Sequence, residues 1–271
     1  MAEEQQTRYG WIDAHIHVDK YPPGERERLL DEAYAAGGEA VVGVSMNLES
    51  CRVNRDLALR HGGRYMPAYG HHPEIPLPGP EEEEELFAWI RRLHEAGEKF
   101  AIGEVGLPYY ARTEAGKDGR PFDERPYLAL LDRFAALAAE LDRPIVLHAV
   151  YEDAEKACDA LERHGVRRAH FHWFKGSEAA IRRMIARGWH VSVTPDVVYE
   201  PEIQALVRAY PLELLMAETD GPWPFEGPFA GRPTTPAMVR EVIRAVAELK
   251  GLGAEETAAA MLEVTKKFYG I

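Results

Sequence analysis

Cysteine is nearly missing from this 271-residue chain: Cys51 and Cys158 are its only two, far apart and without CxxC spacing. That argues against a disulfide framework or a thiolate zinc site and leaves both as ordinary buried thiols. An excess of cations is missing too. With 32 Lys and Arg against 45 Asp and Glu the formal net charge is −13, so the broad positive field of a DNA-coating protein is lacking, although a cation-filled cleft can still draw phosphate locally. No apolar run reaches the roughly 20 residues that cross a bilayer, which excludes a membrane-spanning helix. The first ten residues are polar and carry Glu3 and Glu4, unlike the basic and then apolar layout of a secretory signal, so the expected location is cytoplasmic. Gly103 and Gly106 lack the spacing of a dinucleotide loop, and no phosphate-binding glycine motif stands out.

What is present is an alternation. The chain is 46% hydrophobic and 28% charged, enough for a large core. Short β-branched or apolar runs alternate with segments whose apolar residues recur every three or four positions. The strands expected are Trp11 to Val18, Glu39 to Ser45, Arg64 to Gly70, Lys99 to Val105, Pro144 to Ala149, Arg168 to Trp173, Trp189 to Thr194 and Leu214 to Thr219. Helices are expected over Glu25 to Ala36, Leu48 to Arg60, Glu81 to Ala96, Pro126 to Leu141, Asp153 to His164, Ser177 to Arg187, Pro201 to Ala209 and Pro236 to Lys250. Eight strand-then-helix units predict an α/β fold, a (β/α)8 TIM barrel forming one domain over residues 1–271. An extra C-terminal helix, Ala254 to Phe268, is expected to pack across the barrel's outside. Tyr109 to Arg125 and Gly221 to Thr235 are read as irregular loops on the active face. The acidic run Glu81 to Glu85 suits the positive end of a solvated helix.

Chemistry concentrates at the ends of the strands. In Ile12-Asp13-Ala14-His15-Ile16-His17 the two-residue period of a strand puts both histidines on one face, where they can grip one ion. Glu104 ends the fourth strand in an apolar context that gives a carboxylate no reason to be buried unless a cation or donor compensates it. His148 ends the fifth strand, His172 the sixth and Asp220 the eighth. Barrel chemistry gathers at the C-terminal ends of strands, so these six residues point to a metal centre. Imidazoles and carboxylates without thiolates suit zinc, manganese, cobalt or iron, or magnesium where carboxylates and waters dominate. Six ligands exceed the needs of one tetrahedral ion, which argues for two divalent ions sharing a carboxylate.

These residues resemble a known family, the TatD-like branch of the metal-dependent amidohydrolases, over nearly the whole chain. The resemblance is carried in order by Ile12-Asp13-Ala14-His15-Ile16-His17-Val18-Asp19, Tyr69-Gly70-His71-His72-Pro73 and Ile102-Gly103-Glu104-Val105-Gly106-Leu107. It continues through Pro144-Ile145-Val146-Leu147-His148, His172-Trp173-Phe174-Lys175-Gly176-Ser177 and Glu218-Thr219-Asp220-Gly221-Pro222-Trp223. It implies His15, His17, Glu104 and Asp220 around one ion, with Glu104, His148 and His172 around the other, Glu104 bridging. The chain departs from the family pattern at Pro108, where an aspartate is usual, at Gly221, where a serine is common, and at Thr234-Thr235-Pro236, where Asn-Glu-Pro is usual. None of these removes a ligand, but all lie in loops expected to border the cleft, so they bear on the substrate.

Around this centre His72 is read as a substrate-contacting or supporting group, and Glu218, sharing strand parity with Asp220, as one that orients a ligand or balances charge. His71 reads equally well as a solvated loop residue. His170 is the rival of His172 for the ligand role, and the family register favours His172. Lys175, Arg112 and Arg232 are candidate phosphate cations; Trp173, Trp223 and Phe225 are as easily core as pocket. The expected reaction is hydrolysis by metal-bound hydroxide with Asp220 as general base. Its substrate is DNA, for a TatD-like deoxyribonuclease, or alternatively a small ester, lactone or amide. A third reading is a metal-binding protein without turnover. No membrane association and no obligate protein partner are inferred.

Overall fold

The computed structural model describes residues 9–271; residues 1–8, which carry most of the segment read for its lack of a secretory signal, lie outside the described residues. Eight parallel strands are hydrogen-bonded in sequence order: β1 Trp11–Ile16, β2 Gly38–Val44, β3 Tyr65–Tyr69, β4 Ala101–Gly106, β5 Ile145–His148, β6 Ala169–Phe171, β7 His190–Val193 and β8 Leu215–Ala217. At the mouth the first and last strands meet. The amide of Asp220 donates to His15 O, and that of His17 to Gly221 O, both at 2.9 Å. The (β/α)8 barrel expected from the alternation is therefore the fold, because eight βα units, each too short to cover its own sheet face, bury one another on closing.

Ten α-helices surround it among the described residues: α1 Pro23–Ala35, α2 Leu48–His61, α3 Pro80–Glu95, α4 Tyr109–Lys117, α5 Arg125–Glu140, α6 Glu152–His164, α7 Glu178–Arg187, α8 Pro201–Ala209, α9 Val239–Lys250 and α10 Ala254–Tyr269. Their ends are written locally. Asn47 and Ser177 cap α2 and α7 by accepting the amides of Ser50 and Ala180 at 3.0 Å. Pro23, Pro80 and Pro201 begin α1, α3 and α8 where a missing N–H costs nothing. No helix of the described residues is long and apolar enough to cross a membrane.

Two expectations change. Tyr109 to Arg125 is not irregular throughout: α4 occupies its first half, nucleated because the Glu74 carboxylate accepts the Tyr110 and Ala111 amides, each at 2.8 Å, a favourable place for a negative charge. And α10 does not only lie outside. Its last residues, Phe268 and Tyr269, pack against Ile12, Ala40, Met66, Ala101, Val146 and Met216, closing the barrel's floor. The Lys99 ammonium and Arg168 guanidinium, just before β4 and β6, reach Gly270 O and Phe268 O at 3.5 and 3.4 Å and fix the chain end there. A floor of small and medium side chains leaves space that two aromatic rings fill.

Candidate metal centre

Glu104 sits at the middle of the site, fully buried. Its backbone comes close to β5 because Gly103 has φ +120°, and a Cβ there would lie 2.4 Å from Val146 O; only glycine fits. The two carboxylate oxygens face different groups. Oε2 lies 3.2 Å from Nε2 of both His15 and His17. Oε1 lies 2.8 Å from His172 Nε2 and 2.9 Å from His148 Nδ1. Asp220 completes the first group, with Oδ1 3.3 Å from His15 Nε2 and 3.5 Å from His17 Nε2. It holds φ +48°, a conformation aspartate tolerates better than most residues. The His15 and His172 rings stack in parallel at 3.8 Å, joining the two groups across Glu104.

The electrostatics call for positive charge here. Burial opposes ionisation of Glu104, yet His72, His172, His15 and the His148 contact outweigh it and hold the carboxyl well below its ordinary range. Asp220 is likewise held low against its burial, by the contact with His15 and by the charges of His15, His172 and His17. In return, although burial works against a protonated ring, Glu104 and Asp220 raise His15 to about 9, Glu104 and Glu74 push His148 up, and Glu104 and Glu218 hold His172 well above its ordinary value. Two ionised, buried carboxylates thus demand cations, supplied by protons on imidazole or by metal. The donor set fits metal. Glu104 Oε2, Asp220 Oδ1 and His15 Nε2, which face one another, are buried without a hydrogen-bond partner, and His15, His17 and Asp220, like Glu104, His148 and His172, converge closely enough to share an ion.

His72 is placed differently. Its Nδ1 accepts the Glu74 amide at 3.1 Å, so the neutral ring carries its proton on Nε2, which faces Glu104 Oε1 at 3.1 Å as a donor. Burial lowers its pKa to about 4, which agrees with a neutral ring. Glu218 is buried beneath His172, its Oε1 3.7 Å from Nδ1. His170 does not reach the Glu104 cluster; its ring nitrogens bond Tyr269 and Ser192 instead. His71 is buried, bonding Pro76 O at 2.9 Å, and is not a solvated loop residue.

A cleft of about 480 Å³ opens over the centre, walled by His72, Glu74, Tyr110, His148, Trp173 and Trp223 among others. None of the three candidate phosphate cations is in that wall. Arg112 is bound to Glu124, Glu152 and Asp153; Lys175 lies 3.9 Å from Asp196 and Arg232 3.9 Å from Glu241. Of the aromatics, Trp173 and Trp223 line the cleft and Phe225 packs with Phe229 and Met238. Lys20, not singled out from sequence, lies over the exposed Trp223 ring at 4.9 Å.

Sequence reasoning also passed over two carboxylates. Asp13, sharing strand parity with His15, accepts the Thr219 amide at 3.0 Å and so ties β1 to β8; that parity was the available signal. Burial pushes its carboxyl up to about 8. Glu74 approaches His148 Nε2 at 3.4 Å, and only its place after Gly70-His71-His72-Pro73 pointed to it.

A closed parallel barrel whose strand ends converge buried imidazoles on two carboxylates defines the class of metal-dependent hydrolase barrels. The model of the TatD related DNase family matches residues 12–270, and the chain belongs to that family. An uncharacterized metal-dependent hydrolase of Haemophilus influenzae is 35% identical over 95% of this chain and 98% of its own. Human deoxyribonuclease TATDN3 is 26% identical over 94% of this chain and 92% of its own. The crystal structure of YjjV, a TatD homolog from Escherichia coli K12, superposes with a TM-score of 0.80 and 27% identity, covering 96% of this chain and 98% of that one.

Proposed function

We propose that His15, His17, Glu104 and Asp220 hold one divalent cation, that Glu104, His148 and His172 hold a second, and that the enzyme hydrolyses phosphodiester bonds of DNA. The observation that carries the two-ion reading is the divided Glu104 carboxylate, one oxygen against His15 and His17 and the other against His148 and His172. Cations bound there lower the pKa of water towards about 7 and polarise the scissile phosphoryl group. The chain's own residues do the rest. Asp220, held ionised and lining the cleft, takes the proton of the attacking water and passes it to the leaving oxygen. His72 donates to Glu104 and keeps its Oε1 oriented. In this reading water is the nucleophile, with Asp220 beside it to take its proton.

DNA as substrate rests on the family and on the name of the human relative. The rim supports it: the Trp223 ring is about half exposed and carries the Lys20 ammonium over one face, an aromatic and a cation together where a base and a phosphate can bind. The test is cleavage of a short single-stranded DNA, compared with a panel of lactones and simple esters, by enzyme of measured metal content. Metal-dependent DNA cleavage supports the reading. Turnover of an ester or lactone with no DNA cleavage under any divalent ion would replace phosphoryl with acyl chemistry at the same centre.

A further inference from the structure

A buried polar string crosses the barrel interior along β6, β7 and β8. The hydroxyl of Tyr269, at the end of α10, lies 2.6 Å from His170 Nδ1. His170 Nε2 faces Ser192 Oγ at 2.5 Å, and Ser192 Oγ donates to Glu218 Oε2, also at 2.5 Å. Glu218 Oε1 accepts the Trp173 amide at 2.7 Å and lies 3.7 Å from His172 Nδ1. Tyr269, His170, Ser192, Glu218 and His172 are all at most 3% exposed.

The protons can be placed from donor and acceptor capacity alone. A carboxylate only accepts, so the single Ser192 proton points to Glu218. The Ser192 oxygen then accepts from His170, whose proton is on Nε2, and the bare Nδ1 accepts the Tyr269 hydroxyl. The tyrosine's other acceptor, Ala14 O, is farther away at 3.4 Å. Every donor therefore points the same way, toward Glu218, an arrangement in which each bond polarises the next. The nearby His172 Nδ1 is a buried nitrogen with no hydrogen-bond partner.

We propose that this string is a positioning device for His172: it fixes Glu218 beneath the imidazole, so that an Nδ1 proton is held on the Glu218 side and Nε2 is aimed at Glu104, where a cation would take its lone pair. Tyr269, His170 and Ser192 are positioning residues, reaching from the barrel's floor to a side chain at its mouth. The role toward a cation rests on the metal-centre reading above; the His170 tautomer does not. Nothing in the cleft touches Tyr269, so its influence runs through the string.

The test combines two measurements on the full chain. Imidazole ¹⁵N NMR of the metal-free protein reads the tautomers, and zinc titration against a competing chelator reads affinity. Wild type shows His170 as the Nε2–H form. Tyr269→Phe, which keeps the ring and removes only the hydroxyl, and Ser192→Ala turn His170 into a mixture of its two forms and weaken zinc binding about tenfold. Ile90→Ala, which opens a cavity under α3 away from the string, lowers Tm but leaves the His170 tautomer and affinity as in wild type. A wild-type His170 tautomer in both string variants, or equal loss of affinity in Ile90→Ala, would overturn the proposal. Should wild type bind no divalent ion, the metal reading fails and the tautomer arm alone decides. Should Tyr269→Phe not fold, Ser192→Ala carries the test.

Discussion

At the floor of the barrel Ile12, Ala40, Met66, Ala101 and Met216 are buried against Phe268 and Tyr269, while at the mouth His15, His17, Glu104, His172 and Asp220 are buried just as deeply. The floor follows the ordinary rule, apolar surface removed from water and gaps filled by rings. At the mouth the same burial strands polar atoms without hydrogen-bond partners, which costs free energy unless a cation compensates it. The difference separates what stabilises the fold from what the fold is spent on. Perturbing the mouth should change metal content and turnover with modest effects on stability, and perturbing the apolar side chains of the floor should do the reverse.

Chelation is the largest perturbation: removing divalent ions should abolish turnover, and returning them should restore it. Full activity in protein shown to be metal-free would break the contrast outright. Next comes the centre itself. Glu104→Gln should reduce the content of both ions, because a neutral amide bridges poorly, whereas His148→Ala should deplete mainly one; equal metal in wild type and Glu104→Gln would remove the bridge. Asp220→Asn keeps shape but loses the base, so kcat should fall by roughly 10² to 10⁴ with little change in KM. Metal content measured on the same preparation makes that fall interpretable, and near-wild-type turnover with ions bound would exclude Asp220 as the base.

At the floor, Met66→Ala should cost about 2–5 kcal/mol of stability by opening a cavity, with metal content unchanged. Thermal unfolding beside elemental analysis checks both halves, and loss of metal from this variant would mean that apolar packing at the floor also sets the metal centre. At the rim, Trp223→Ala should weaken DNA by about 1–3 kcal/mol, seen in KM rather than kcat, if a base stacks there. The smallest effect is one of pH. Burial, with Lys267 adding to it, lowers the pKa of His190 from 6.5 to about 4. The unfolded chain therefore binds the extra proton between those values, so the stability this residue contributes is complete above 6.5 and lost as pH falls toward 4. The decline of Tm over that window should flatten in His190→Gln, and an unchanged slope would show that the ring is not kept neutral by burial.

Sequence alone determined the eight βα units, since strand and helix periodicity are local properties and a run such as Val41 to Val44 carries its pattern with it. It also determined that His15, His17, Glu104, His148, His172 and Asp220 would gather, because in a parallel barrel the end of every strand has the same address. Tertiary structure alone decided what depends on partners far apart in the chain. Glu74 became visible as a neighbour of His148 only when the β3 loop met α4, and Arg112 proved to be bound by three carboxylates rather than open to phosphate. Helix α10 read as an amphipathic segment like any other; that its last two rings close the floor follows from the space the strands leave. Tyr269 and His170 are 99 residues apart and bond at 2.6 Å. No periodicity records such a contact, because periodicity states which face a side chain occupies and only packing states what stands opposite.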